Sequence, residues 1–228
     1  MPLTEKIANI REDVANAALR AGRDPSGVTL LAVTKTRSVD EIRDAVAAGI
    51  GHIGENRIQE AAAKLPQVSE NVVKHMIGHV QSNKGSVAAD LFDWVDSVDS
   101  KKIADILSRR ATETGKTLNV LMQVNISDEA AKSGIDPGSV RDLAIYVAGS
   151  GGLAVRGLLT ISSFGGSAVV RRDEFARMKE LFDSLREEPG WGAKFDVLSM
   201  GMSGDFEIAV EEGSTMVRIG TALFGERT

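Results

Sequence analysis

Short apolar runs and longer amphipathic ones alternate along this chain from end to end. The apolar runs are LLAVTK (30–35), HIGEN (52–56), HMIGHV (75–80), WVDSVD (94–99), LNVLMQVN (118–125), VRGLLTI (155–161), DVLSMG (196–201) and MVRIG (216–220), each of strand length. Residues 40–48 set Ile42, Ala45, Val46 and Ala48 toward one helical face with Gly49 as C-cap, and Ser38 with Glu41 has the form of a capping box. Residues 101–114 space Ile103, Ile106, Leu107 and Ala111 helically. Residues 139–148 repeat that pattern, and 173–186 do so through Phe175, Met178, Leu181, Phe182 and Leu185. The opening MPLTEKIANIREDVANAALRAG reads as a charged amphipathic helix.

Strands separated by helix-length connections must pair in parallel, because a hairpin turn cannot return the chain in that sense. Eight such units predict an α/β fold, a single-domain (β/α)8 TIM-type barrel over residues 1–228 with one extra N-terminal helix. An open doubly wound sheet is the alternative. GSGG (149–152) and GG (165–166) read as loops, and no linker divides the chain.

Composition narrows the function classes. A formal net charge of −5 gives no general attraction to nucleic acid or to an anionic membrane. Zero cysteines exclude disulfides, thiolate metal sites and cysteine nucleophiles. The N-terminus lacks the apolar stretch of a signal peptide, and no segment approaches the roughly 18 apolar residues of a membrane span. The expectation is a cytoplasmic protein.

Both parallel architectures bind ligands beyond the carboxyl ends of their strands. The residues predicted there are Lys35, Asn56, Gln81 with Ser82 and Asn83, Asp96 with Ser97, Asn125, Thr160 with Ser162, Ser199 with Ser203, and Arg218 with Thr221. A lysine ending a buried strand is partly desolvated, which lowers its pKa and frees the amine for carbonyl attack. The plainer reading makes Lys35 a loop residue reaching into solvent. In SMGMSGDFEIAVEEGSTMVRIGTALFG (199–225), small and hydroxyl residues open turns where backbone N–H groups suit a phosphate. An amine at one rim position and a phosphate cradle at another fit an aldehyde that carries a phosphate, such as pyridoxal phosphate.

With AVTKTRS (32–38), GENRIQE (54–60), HMIGHVQSNK (75–84), VNISDEAAKSGI (124–135) and 199–225, nearly the whole chain resembles the pyridoxal phosphate homeostasis proteins. Their barrel is similar to the N-terminal domain of alanine racemases. The resemblance implies that Lys35 forms the internal aldimine with pyridoxal 5′-phosphate and that Ser203, Gly220 and Thr221 hold its phosphate. It also implies that Ser199 and Met200 line that side, that Arg218 lies against the pyridine nitrogen, and that Asn56 is near the ring. A permanent cation beside that nitrogen disfavours its protonation and makes the ring a poor electron sink. Lys132, in AAKSG, matches a lysine near the family's site and is a candidate secondary contact. Arg37 stands where many members have lysine, and LLTISSF (158–164) replaces a stretch richer in methionine and proline.

Other clusters have plainer readings. His52, His75 and His79 could suggest a metal, but His52 and His75 open their strands on the rim opposite His79. Asp96 and Asp99 read as solvated strand-end carboxylates, Glu211 and Glu212 as an exposed helix end, and Trp94 and Trp191 as structural residues. Three functions compete: a carrier that buffers the cofactor and delivers it to apo-enzymes, a pyridoxal-phosphate racemase, and a cofactor-free Schiff-base aldolase. Racemisation needs a base on each face of the substrate carbon. The chain's one tyrosine, Tyr146, is expected on a core-facing helix, and little chain follows Gly220 to supply another domain. The aldolase gives Arg218 no role. The expectation is a carrier without turnover, monomeric because no apolar stretch is evidently exposed.

Overall fold

In the computed structural model, which describes residues 1–69, 71–127, 133–163, 165–188 and 194–226, eight parallel strands follow one another around a closed barrel. They are β1 (Thr29–Val33), β2 (His52–Glu55), β3 (Val73–Met76), β4 (Trp94–Val98), β5 (Leu118–Val124), β6 (Leu153–Thr160), β7 (Val197–Met202) and β8 (Met216–Ile219). Closure comes from β1 pairing with β8, with Leu31 opposite Arg218. The barrel expectation therefore holds, and the open sheet does not form. The helices are α1 (Leu3–Arg20), α2 (Val39–Ala47), α3 (Ile58–Lys64), α4 (Gly85–Leu91), α5 (Lys101–Glu113), α6 (Val140–Ala148), α7 (Ala168–Arg186), α8 (Phe206–Glu211) and α9 (Thr221–Phe224).

Successive strand residues point to opposite faces of the sheet, so each strand feeds two interiors. One set, including Ala32, Ile53, Val95, Val120, Leu158, Leu198, Met200 and Val217, joins the helices in one continuous core. Helix α7 contributes Phe175, Met178, Phe182 and Leu185 to it, as their spacing predicts. Burying such a side chain stabilises by about 1.5–3 kcal/mol before entropy is counted. The other set faces the lumen. There Trp94, Leu121 and Leu159 form a separate cluster, and His75, Asp96, Ser199 and Arg218 are all buried as well.

The strands are shorter than the apolar runs. β1 stops at Val33, so Lys35 occupies the turn that follows rather than the strand tip. β3 ends at Met76 instead of continuing to Val80. Gly78 then passes so close to β2 that a Cβ there would lie 2.3 Å from the Asn56 carbonyl oxygen. Helix α2 has the expected capping box, with Ser38 Oγ accepting from the Glu41 amide and the Glu41 carboxylate accepting from the Ser38 amide. Gly49, at φ 92°, ends it in a conformation that other residues resist.

Several expectations need correction. His75 is the third residue of β3 and does not open it. Asp96 is not a solvated strand-end carboxylate but lies fully buried in the lumen. Tyr146 faces outward from α6, where its hydroxyl donates to Asp105 at 2.7 Å. Glu211 and Glu212 close α8 half-buried and paired with arginines: Arg20 and Arg172 for Glu211, Arg172 for Glu212. Apolar side chains are exposed at Ile161, Val169, Val170 and Met202. Trp191 and Lys132 lie outside the described residues.

Candidate functional site

The carboxyl ends of β1, β2, β6, β7 and β8 surround a cleft of about 400 Å³. Its lining includes Lys35, Asn56, Ser203, Arg218, Gly220 and Thr221, which brings together six of the eight expected site residues. The other two sit behind it. Ser199 is buried below the cleft and accepts a hydrogen bond from Arg218 Nη1 at 2.7 Å. Met200 alternates to the opposite face of β7 and packs in the core under the helices, while Met202 lines the cleft two residues on.

Arg218 is fixed by the lumen around it. Its Nη2 donates to the Thr160 carbonyl at 2.8 Å, so β6, β7 and β8 are joined by one guanidinium. Burial pulls its pKa down to about 10, against the opposing influence of Asp96 and Asp205. It remains a cation at neutral pH, which explains a carboxylate as deeply buried as Asp96. Asp96 in turn binds His75 Nδ1 at 3.0 Å, and His75 Nε2 meets His52 Nδ1 at 3.0 Å. If His75 carries its proton on Nδ1 alone it donates to Asp96, and its Nε2 then accepts from His52 Nδ1. His52, which opens β2, thus meets His75 inside the lumen, whereas His79 lies beyond β3 and pairs with Asp99 at 3.4 Å. Among the described residues no group of three metal-ligating side chains assembles.

The side of the cleft after β7 and β8 is built from turns. The Gly220 and Ala222 amides both donate to Ser203 Oγ at 3.3 Å, which draws the turns after β7 and β8 together at the cleft. Asp205 braces the same turn by accepting from the Met202 amide at 2.6 Å and from Ser162 Oγ at 2.6 Å. Arg37 joins this side to Lys35's turn, donating to the Gly225 carbonyl at 2.7 Å with its guanidinium over the Phe224 ring.

Asn56 stands at the junction of the cleft and a smaller cavity of about 190 Å³, lined also by His79, Gln123, Asn125 and Ser133. Its Oδ1 is buried without a hydrogen-bond partner. Such an acceptor costs free energy unless a bound molecule supplies a donor. A polar ring with hydroxyl substituents and an attached phosphate fits this set of groups. Sequence reasoning did not single out Thr36, Gly204, Ile77 and Ile161 as cleft residues. Nor did it find the ion cluster of Lys64 with Glu55 and Glu60 behind Lys35's turn. The spacing of Glu60 and Lys64, four residues apart on a helix, was the available signal.

Residues 6–228 match the family described as alanine racemase, N-terminal domain. A pyridoxal phosphate homeostasis protein of Pseudomonas aeruginosa is 43% identical over 226 residues, spanning 99% of this chain and 96% of the relative. That of Pasteurella multocida is 41% identical over 230 residues, with 100% and 98% covered. Among solved structures, PipY of Synechococcus elongatus with pyridoxal phosphate bound superposes with a TM-score of 0.86 at 34% identity, covering 98% of this chain and all of PipY.

Proposed function

The chain belongs to the alanine racemase N-terminal domain family and, within it, to the pyridoxal phosphate homeostasis proteins, and from that premise we propose that it binds pyridoxal 5′-phosphate and serves its homeostasis. In this reading it holds the cofactor at the barrel mouth, keeps the reactive aldehyde out of circulation, and hands it to apo-enzymes without turning over a substrate. The observation that carries the reading is the convergence of Lys35, Arg218, Ser203 and Gly220 on one cleft.

The cofactor supplies an aldehyde that condenses reversibly with a primary amine. Lys35 would provide that amine at the mouth of the barrel. Ser203 Oγ, the amides of Gly220 and Ala222, and the Thr221 hydroxyl hold the phosphate. Arg218, a cation in the lumen below the cleft, would lie against the pyridine nitrogen and disfavour its protonation, so the ring would withdraw electrons weakly from a bound amine. Asn56 Oδ1 takes a donor from the ring. A racemase would need a second base, and Tyr146 on the outer face of α6 is not at the mouth. Among the described residues no helix is long and apolar enough to cross a membrane. Residence in the cytoplasm, a monomeric state and the role of residues 1–228 as one cofactor-binding unit complete the proposal.

The test is the visible absorption spectrum of protein mixed with pyridoxal phosphate, before and after borohydride, for wild type and Lys35→Ala. Wild type should show a Schiff-base band that reduction traps on the Lys35 peptide, and Lys35→Ala should lack it. A wild type without that band at saturating cofactor sinks the reading. Steady conversion of alanine enantiomers by wild type would move the protein to the racemase class.

A further inference from the structure

The turn bearing Lys35 is bound on three sides, and each tie leads to one buried side chain. The Arg37 amide donates to the Thr34 carbonyl at 3.0 Å, making Lys35 and Thr36 the central residues of a β-turn. Thr36 has φ 65°, alone among the described non-glycine residues in being positive. A β-branched residue is a poor occupant of that region, and such strain persists only where the surroundings impose it.

The imposing group is Lys64, at the end of α3 and nearly buried. Its Nζ donates to the Thr34 carbonyl at 3.0 Å and to the Arg37 carbonyl at 3.3 Å, the two ends of the turn. It also meets Glu55 Oε1 at 2.8 Å and Glu60 Oε1 at 2.7 Å. Those carboxylates hold the turn again, since Glu60 Oε1 accepts from the Thr36 amide at 2.5 Å and Glu55 Oε1 from Thr34 Oγ1 at 2.7 Å. Four oxygens around one nitrogen describe an ammonium, so Lys64 offers no lone pair of its own. Burial pulls the Glu60 carboxyl upward, but hydrogen bonds from Lys64 and the Thr36 amide keep it below the ordinary range. Burial raises Glu55 despite Lys64 and Thr34, and its Oε2 is buried without a partner. Glu60 is thus the firmer anion and Glu55 the more strained member. Thr34, Thr36 and Arg37 are all tied to this cluster, and the turn they hold places Lys35 on the cleft.

We propose that Lys64, with Glu55 and Glu60, is a positioning residue that clamps the 34–37 turn in its left-handed form and so presents the Lys35 amine to a phosphorylated aldehyde. This rests on the reading of Lys35 as the cofactor's amine. The step it serves forms a C=N bond from the Lys35 nitrogen to the aldehyde carbon. The carbonyl oxygen leaves as water with the two hydrogens of the neutral amine. Lys64 takes no part in that exchange; it sets where the nitrogen stands, and a misplacement of about 1 Å is enough to matter.

The experiment titrates wild type, Lys64→Met, Glu60→Ala and the double variant Lys64→Met/Thr36→Gly with two ligands. One is pyridoxal phosphate, read by the visible band and by the borohydride-trapped Lys35 peptide. The other is pyridoxine 5′-phosphate, which keeps ring and phosphate but has no aldehyde. Lys64→Met is expected to lower Schiff-base formation about tenfold or more while leaving pyridoxine phosphate affinity within about threefold. Thr36→Gly should restore part of the loss, because glycine takes a positive φ without a clamp. An unchanged Schiff base in folded Lys64→Met, or an equal loss for both ligands, overturns the proposal. Should circular dichroism show Lys64→Met unfolded, Glu60→Ala, which cuts the tie to Thr36 at the partly exposed end, is judged by the same two criteria. Failure of the Lys35 reading looks different, since wild type itself then yields no trapped Lys35 peptide.

Discussion

Arg218 is a cation held in a barrel lumen by a hydroxyl and a carbonyl. Removing it leaves Ser199 Oγ and the Thr160 carbonyl without their donor and Asp96 without a cation whose field reaches it, and an uncompensated buried charge is among the costlier defects a fold can carry. Arg218→Met should lower the unfolding free energy by about 3–5 kcal/mol in urea titration. Ser199→Ala, which removes one hydrogen bond to a charged group, should cost about 1.5–3 kcal/mol. At the other end of the same line, burial pushes the His52 ring down to about 4, with His75 adding to the effect and Asp96 opposing it. The unfolded chain therefore binds a proton that the folded chain refuses. Stability is full above the ordinary histidine pKa and declines as pH falls from about 6.5 toward 4, by about 1–2 kcal/mol after allowance for the ring's partial exposure. Urea midpoints at pH 7 and pH 4.5 measure the decline, and His52→Gln should shrink it. Lys35 and Arg218 were legible in the sequence because polar residues inside apolar runs need a reason to be there. Asp96 was misread because its reasons, His75 on the adjacent strand and a guanidinium four strands away around the ring, are set by closure of the barrel and not by neighbours in the chain.

At the scale of single elements, α2 starts where its sequence says it should. Ser38→Ala removes one half of the capping box and should cost about 1 kcal/mol, seen as a drop of a few degrees in the thermal midpoint. The strands show where periodicity misleads. An apolar run reports burial, and burial continues past the last ladder hydrogen bond, so β1 and β3 stop before their runs do. Val80 is buried yet lies four residues beyond the end of β3. The short helices α3 and α4 were not legible for a related reason. Seven residues hold barely two turns, too few for a 3.6-residue period to stand out, and such helices persist through packing rather than propensity. Helix α3 nevertheless contributes Lys64, so an element that the pattern did not reveal carries the clamp on the element that it did.

For the molecule as a whole, eight strands in chain order were enough to predict the barrel, because parallel neighbours with helical crossovers leave few alternatives. The added helix α1, with Arg23 just beyond its end, braces the seam that closes it. Lys6 donates to the Leu223 carbonyl at 3.1 Å, Arg23 to the Ser214 carbonyl at 2.9 Å, and Arg20 pairs with Glu207 and Glu211 on α8. None of these partners could be read from α1's own pattern, which shows one apolar stripe and many charges. The seam also has a temporal meaning. Lys35 follows the first strand and Thr221 the last, and only β1–β8 pairing makes them neighbours. During synthesis the two halves of the cleft leave the ribosome far apart in time, and no earlier portion of the barrel can grip the ligand. A molecule that bridges them binds the finished ring alone, and so shifts the folding equilibrium toward closure by mass action. On the proposed function the ligand would serve as the clasp of the bracelet as well as its cargo, and surrendering it would loosen the protein at the place where the chain last came together.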